Sequence, residues 1–229
     1  NTCATMAIQH PGWTARLLSV SEAVNFVRSI MRSRDVDSPI VLGVAGPGDP
    51  LANAQTFDTL GLIHKEYPHL LKCMSTNGLL LGDKLAEIVN AGIRAITVTI
   101  NAVDSQIGKE IYSWVSYRGN VYRGKEAARL LIAKQFSGIG KAVDTGLTIK
   151  VNTVLIPGIN DGQMLEIARL IKEAGVKLMN IMPLIPMDRM RNRLGPTCDE
   201  LRMKRTECER IIPQFRRCEQ CRADIVYLP

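Results

Sequence analysis

Short, dense runs of apolar residues alternate along this chain with stretches whose apolar residues recur every three or four positions. The dense runs are Ile40–Val44, Leu70–Met74, Ile93–Ile100, Leu147–Ile156 and Val176–Met182. Their brevity and β-branched content predict strands buried on both faces. Between them, helical spacing covers Val20–Met31, with Ser19 or Ser21 as cap, and Asn53–Glu66, capped by Asn53 and stopped before Pro68. Further helices are predicted over Gly82–Asn90, Gly124–Phe136, Met164–Ala174 and Cys198–Ile212. The stretch Asp104–Arg123, rich in Tyr, Ser, Gly and Arg, breaks the rhythm and predicts a long loop with a short helix. Strands centred near Leu42, Lys72, Val98, Val151 and Asn180, each followed by a helix, mean an α/β fold of parallel strands with right-handed crossovers. A barrel or partial TIM barrel is the closed form of that arrangement.

Each predicted strand ends in a polar or Gly/Pro segment: GPGDP, STNG, NAVD, PGIND and MPLIP. Any one of these is a serviceable tight turn. In a parallel sheet, however, all of them fall on the carboxyl rim, where ligands bind. Composition narrows the class. The chain has 229 residues, 46% of them apolar and 22% charged, which suits a globular domain with a substantial core. No apolar run reaches the length of a membrane span, and no signal peptide is recognisable, so a cytoplasmic location away from membranes is expected. The net charge of +7 is concentrated between Arg189 and Arg222, and aromatics make up only 5%. Without a nucleic-acid motif, that charge suits an anionic ligand, partner or cluster.

The six cysteines are Cys3, Cys73, Cys198, Cys208, Cys218 and Cys221. Disulfide scaffolds are smaller and loop-rich, so the Cys218–Cys221 pair reads as metal or redox chemistry, with flanking Arg216, Arg217 and Arg222 favouring thiolates. Zinc and a redox pair both stay open at this point. Residues 1–229 are expected to form one barrel domain, with 213–229 as a cysteine-bearing tail. Because the chain opens at Asn1 without Met, a preceding segment is expected to be absent from this sequence.

AGPGDPLAN, CMSTNG, TVTINAVD, KVNTVLIPGIND, NIMPLIP and CEQCRAD, in this order and spacing, resemble the radical S-adenosylmethionine domain of the nitrogenase cofactor maturases, the NifB family. The resemblance covers nearly the whole chain. It implies a partial (β/α)6 barrel and reductive cleavage of S-adenosylmethionine at a [4Fe-4S] cluster. It further implies fusion of two accessory [4Fe-4S] clusters, with carbide insertion, into an [8Fe-9S-C] precursor. Iron–sulfur cluster donors and nitrogenase cofactor carrier or scaffold proteins are the implied partners. One departure is plain: the Cys-x3-Cys-x2-Cys loop that holds the cleaving cluster in such enzymes does not occur in this sequence, and is expected upstream of Asn1.

The resemblance assigns roles to individual residues. Gly46, Gly48 and Asp49 match the loop that meets the methionyl amine, where carbonyls and a carboxylate suit an ammonium. Ser75 and Asn77 can bond the same ligand or simply close an Asx or Ser turn. Thr99, Asn101 and Asn152 are placed for ribose hydroxyls, or for an internal polar layer, and Ile156 and Met182–Leu184 for adenine. Cys73, Cys218, Cys221 and, more loosely, Cys3 match accessory-cluster ligands, while Cys198 and Cys208 match none and read as buried thiols. His10, His64 and His69 read as structural. Lys150, a cation within a strand, allows a Schiff-base aldolase reading, though a sheltered ion pair is the commoner explanation. The alternative to an enzyme is a non-catalytic iron–sulfur or zinc carrier of barrel fold.

Overall fold

The computed structural model describes residues 18–33, 40–44 and 48–215. Gly46, Cys3, Cys218, Cys221 and most of the 213–229 tail lie outside the described residues. In chain order the elements are α1 (Val20–Ser33), β1 (Val41–Val44), α2 (Ala54–Glu66), β2 (Leu71–Thr76), α3 (Leu85–Asn90) and β3 (Ala95–Thr99). Then follow α4 (Ser105–Ile111), β4 (Trp114–Tyr117), β5 (Asn120–Arg123), α5 (Gly124–Asp144), β6 (Thr148–Leu155), α6 (Met164–Glu173), β7 (Leu178–Pro183) and α7 (Cys198–Glu209).

Five strands form one sheet in the order β1-β2-β3-β6-β7, every neighbouring pair parallel. The sheet gains one further rung beyond β7. Met179 N–H donates to Pro213 O (3.0 Å), Phe215 N–H donates to Met179 O (2.7 Å), and Gln214 pairs with Met179 in parallel. This parallel sheet with crossover helices is the partial TIM barrel that the strand–helix alternation predicts.

Side chains alternate across each strand, so register sorts them onto two faces. Met74, Ile96, Val98, Ile149, Val151, Met179 and Ile181 pack against Leu60, Ile88, Ile139, Ile167 and Ile171 from the helices. Each such side chain, fully buried, stabilises the fold by roughly 1.5–3 kcal/mol. The opposite, inner face carries Gly43, Cys73, Ser75, Thr97, Thr99, Lys150, Asn152 and Asn180. One face therefore builds the core and the other presents small and polar groups.

Three predicted stretches differ. Asp104–Arg123 holds α4 and, beyond the expected loop, an antiparallel hairpin of β4 and β5. Its turn is Arg118-Gly119, both at positive φ (50° and 81°), the conformation hairpin twist demands. α5 runs on to Asp144 rather than stopping at Phe136. Gly138 lies in this extra length because a Cβ there would stand 2.9 Å from Leu81 Cβ and 3.0 Å from Gly82 N. The third helix is shorter than Gly82–Asn90, because 79–84 forms turns that pack under α5.

At the amino end of the strands lies a lysine that the pattern reading passed over. Lys72 is fully buried, and its Nζ donates to Leu70 O (2.9 Å) and Tyr67 O (3.4 Å) beside His64 Nδ1 (3.3 Å). Burial, aided by Arg94, lowers its pKa.

Candidate functional site

The loop after β1 enters the site through Gly48 and Asp49. Asp49 caps the short 3-10 turn Pro50–Ala52 by accepting Leu51 N–H on Oδ1 (3.0 Å). The same carboxylate accepts the Thr76 hydroxyl (2.9–3.0 Å) and Asn77 N–H (2.7 Å). It thus clasps the β1 loop to the end of β2. The β2 loop is closed internally as well: Gly78 N–H donates to Thr76 Oγ1 (3.0 Å) and Leu79 N–H to Asn77 Oδ1 (2.8 Å). The Asx turn weighed for Asn77 is therefore present.

At the ends of β3 and β6 a second brace forms. Asn101 is 2% exposed, and its Oδ1 accepts Val154 N–H (2.9 Å) while its N–H donates to the Tyr112 hydroxyl (3.0 Å). Asn160 completes it, donating to Asn101 O and Val154 O (2.8 Å each) and accepting Ile156 N–H (2.8 Å). Asn101 thus serves the internal polar layer that was the alternative to ribose contact. Asn160 was readable as the Asn of PGIND, but nothing in the sequence separates a brace from a turn residue.

Ser75, Thr99 and Asn152 do come together. Ser75 pairs with Thr97, Thr97 with Lys150, Thr99 with Asn152, and Asn152 with Asn180, all on the inner face. Adjacent strands lie about 4.8 Å apart, so Ser75 and Asn152 bracket a polar strip about 10 Å wide. Asn180 Nδ2 donates to Asn152 Oδ1 (3.1 Å), which fixes the direction of that carboxamide. Ile156 and Leu184, 2% and 6% exposed, form an apolar wall beyond β6 and β7, with Met182 against them.

Cys73 sits two residues below Ser75 on the same face, inside β2 rather than at the strand end. Its register neighbours are Gly43 and Ala95, and even a Cβ on Gly43 would come no nearer than 3.5 Å to Cys73 Sγ. Small neighbours leave space around that sulfur. Among the described residues no three His, Cys, Asp or Glu side chains gather around a metal position. Lys150 has no carboxylate within ion-pair distance among the described residues; its Nζ stands 5.0 Å from the centre of the Phe215 ring instead.

The remaining cysteines separate. Cys208 is buried, donates to Met164 O (3.4 Å), and burial pushes its thiol up to about 11. Cys198, expected to be buried, is exposed as the first residue of α7. The polar cap Thr197 and the solvated first turn Asp199–Glu200 hold that helix start at the surface.

The family model for the radical SAM superfamily matches residues 3–171. The chain is 45% identical over 218 residues to the FeMo cofactor biosynthesis protein NifB of Methanocaldococcus infernus, covering 95% of this chain and 71% of that protein. Against the protein of the same name from Methanocaldococcus jannaschii, identity is 44% over 97% of this chain and 73% of the relative. The chain belongs to the NifB family of radical SAM proteins. Klebsiella pneumoniae NifB is longer, and this chain, 40% identical, spans 47% of it. Among solved structures, a radical SAM methyltransferase from Sphaerobacter thermophilus superposes with TM-score 0.65 at 20% identity, covering 93% of this chain and 60% of that one. That likeness speaks for the barrel alone.

Membership in the radical SAM family implies S-adenosylmethionine and a [4Fe-4S] cluster, and the rim fits the former. A polar strip for hydroxyls and an apolar wall for a purine match two parts of that molecule. For a NifB-family cluster the described residues of the inner face offer one thiol, Cys73, beside the small Gly43 and Ala95. No described helix is long and apolar enough to cross a membrane.

Proposed function

We propose that this chain is the barrel of a radical SAM enzyme of nitrogenase iron–molybdenum cofactor biosynthesis, of the lyase class, which fuses two [4Fe-4S] clusters and inserts carbide to give an [8Fe-9S-C] precursor. The observation that carries the reading is the inner face. It sets the Cys73 thiol beneath a polar strip of Ser75, Thr99 and Asn152, on strands matched to NifB relatives over 95% of the chain. S-adenosylmethionine lies across Gly46–Asp49, Ser75–Asn77, Thr99 and Asn152, over the brace that Asn101 makes with Val154 and Asn160, with adenine against Ile156. When bound to a reduced [4Fe-4S] cluster it supplies a 5′-deoxyadenosyl radical.

The chain's own residues bind and orient. Backbone carbonyls near Gly46 and Gly48, under the Asp49 charge, favour the methionyl ammonium. Thr99 and Asn152 take the ribose hydroxyls, and Ile156 with Leu184 keeps water from the purine. Cys73, Cys3, Cys218 and Cys221 hold accessory clusters. Pro213–Phe215 runs parallel to β7, so the chain is heading for the carboxyl rim at its last described residue, which favours placing Cys218 and Cys221 there. Cluster donors and cofactor carrier or scaffold proteins are the partners. Calorimetry of S-adenosylmethionine with the complete, cluster-loaded protein tests the site. Asn152→Ala and Thr99→Val should each weaken binding, and wild-type affinity in both would sink the assignment.

A further inference from the structure

Gln135 belongs to α5, in the helix layer outside the sheet, yet its side chain ends between the two rim loops. It is fully buried, and its Nε2 donates both protons to main-chain carbonyls, Asn77 O (2.7 Å) and Thr99 O (2.9 Å). The β2–β3 ladder has its last pair at Thr76 and Val98, so those carbonyls belong to the first residues past the paired region. Past the last β2–β3 pair, Gln135 bridges the two carbonyls. The loop is also packed onto it. A Cβ at Gly78, which has φ +82°, would stand 2.9 Å from Gln135 Cγ and 2.7 Å from Val98 Cγ1. Gln135 Oε1, meanwhile, is buried without a hydrogen-bond partner among the described residues. Burying an acceptor unsatisfied is costly, so a glutamine chosen only to fill space is a poor choice here, and the two donated bonds must outweigh the loss. Rotating the amide offers no relief, since it would set Oε1 against two carbonyl oxygens.

We propose that Gln135 is a positioning residue for S-adenosylmethionine: one carboxamide, reaching through from the helix layer, holds the Asn77 and Thr99 backbones at the spacing the ligand needs. The proposal rests on the reading that these rim loops bind that ligand. Its chemistry makes a graded prediction. Methionine fills the same volume with no donor; a buried, protonated glutamate keeps one donor; glutamine has two.

The test measures S-adenosylmethionine affinity by calorimetry and thermal midpoint on the complete, cluster-loaded protein. The variants are Gln135→Glu, Gln135→Met and Ile139→Ala, the last a buried residue one turn along α5 with no side-chain donor for either loop. Gln135→Met should bind about tenfold more weakly or worse, the scale expected when binding groups are misplaced, with Gln135→Glu between it and wild type. Ile139→Ala should lose at least as much thermal stability while keeping wild-type affinity. Unchanged affinity in Gln135→Met overturns the proposal. So does an affinity loss in Ile139→Ala that tracks stability in the same way. Should Gln135→Met fail to fold, the Gln135→Glu comparison with Ile139→Ala decides alone. Failure of the wild-type protein to bind S-adenosylmethionine would instead overturn the site reading beneath.

Discussion

Asp49 shows how a residue that the sequence marks for one contact is held by others. As the lone carboxylate of GPGDP it looks made for an ammonium, yet both oxygens already accept protein donors: Leu51 N–H, the Thr76 hydroxyl and Asn77 N–H. Its charge still faces the loop, but its geometry belongs to a clasp. Thr76→Val removes one bond of the clasp and leaves the charge, whereas Asp49→Asn removes the charge and weakens the clasp. Each should cost about 1–3 kcal/mol of stability by denaturant titration. If the clasp governs ligand affinity, calorimetry should show both variants weakened alike; a loss confined to Asp49→Asn would assign the effect to charge. His64 yields a prediction about pH. Burial first, then Lys72 and Arg94, hold its pKa below the ordinary 6.5. The unfolded chain therefore takes up this proton at higher pH than the folded one, so folding is favoured above pH 6.5 and weakens as pH falls below it. The melting temperature should drop between about pH 7 and pH 5, and His64→Gln should flatten that slope. A slope unchanged in the variant would place the acid sensitivity elsewhere.

At the scale of elements, the parts of the chain written in strict periodicity were legible and the parts set by contact were not. The dense runs around Leu42, Met74, Val98, Val151 and Ile181 became parallel strands because burial on the helix side leaves those positions no polar option. Asp104–Arg123 misled because β4 and β5 alternate weakly: Trp114 and Val121 are exposed, and the turn uses Arg118-Gly119 where asparagine is the usual signal. What anchors the hairpin is remote in sequence. Tyr117 donates to Asp83 Oδ2 (2.8 Å), with Lys134 beside both. Burial works against ionising Asp83, but the Tyr117 hydroxyl, Lys134 and Arg118 outweigh it and hold the carboxyl below its ordinary range. The same blindness hid the end of α5, where Gly138 reads as a breaker but is required by its closeness to Leu81 and Gly82. Gly138→Val should therefore destabilise despite its better helix propensity than glycine, by about 1–3 kcal/mol of overpacking, read as a lower urea midpoint with unchanged slope. In the rim, residue types marked candidates, but which of them line the inner face and which brace each other depended on tertiary register. Asn152 and Asn101 look equivalent in sequence; one lies on the inner face and the other is tied into Val154.

Across the whole molecule, the cysteines divide by environment, and that division makes the most exposed prediction. A cysteine holds iron as its thiolate, not as its thiol. Cys208, buried against Met164 O with its thiol near 11, stays protonated at neutral pH and is walled off by α6 and α7. Cys73 stands on the inner face with the small residues Gly43 and Ala95 as its register neighbours. On the proposed function, cleavage needs one cluster with an open iron, whereas fusion needs two more held beside it. Cys73→Ser, Cys218→Ser and Cys221→Ser should each lower bound iron and abolish the fused product while 5′-deoxyadenosine release persists under reductant. Cys208→Ala should keep its iron and lose only packing, on the order of 1–2 kcal/mol. A native-state alkylation experiment reads the same division independently. Iodoacetamide at pH 7 should label Cys198, which is exposed at the start of α7, and reach Cys208 only after unfolding. Full iron in Cys73→Ser, or iron lost with Cys208→Ala, would mean that the clusters are held by a different set of thiolates and that the inner face serves S-adenosylmethionine alone.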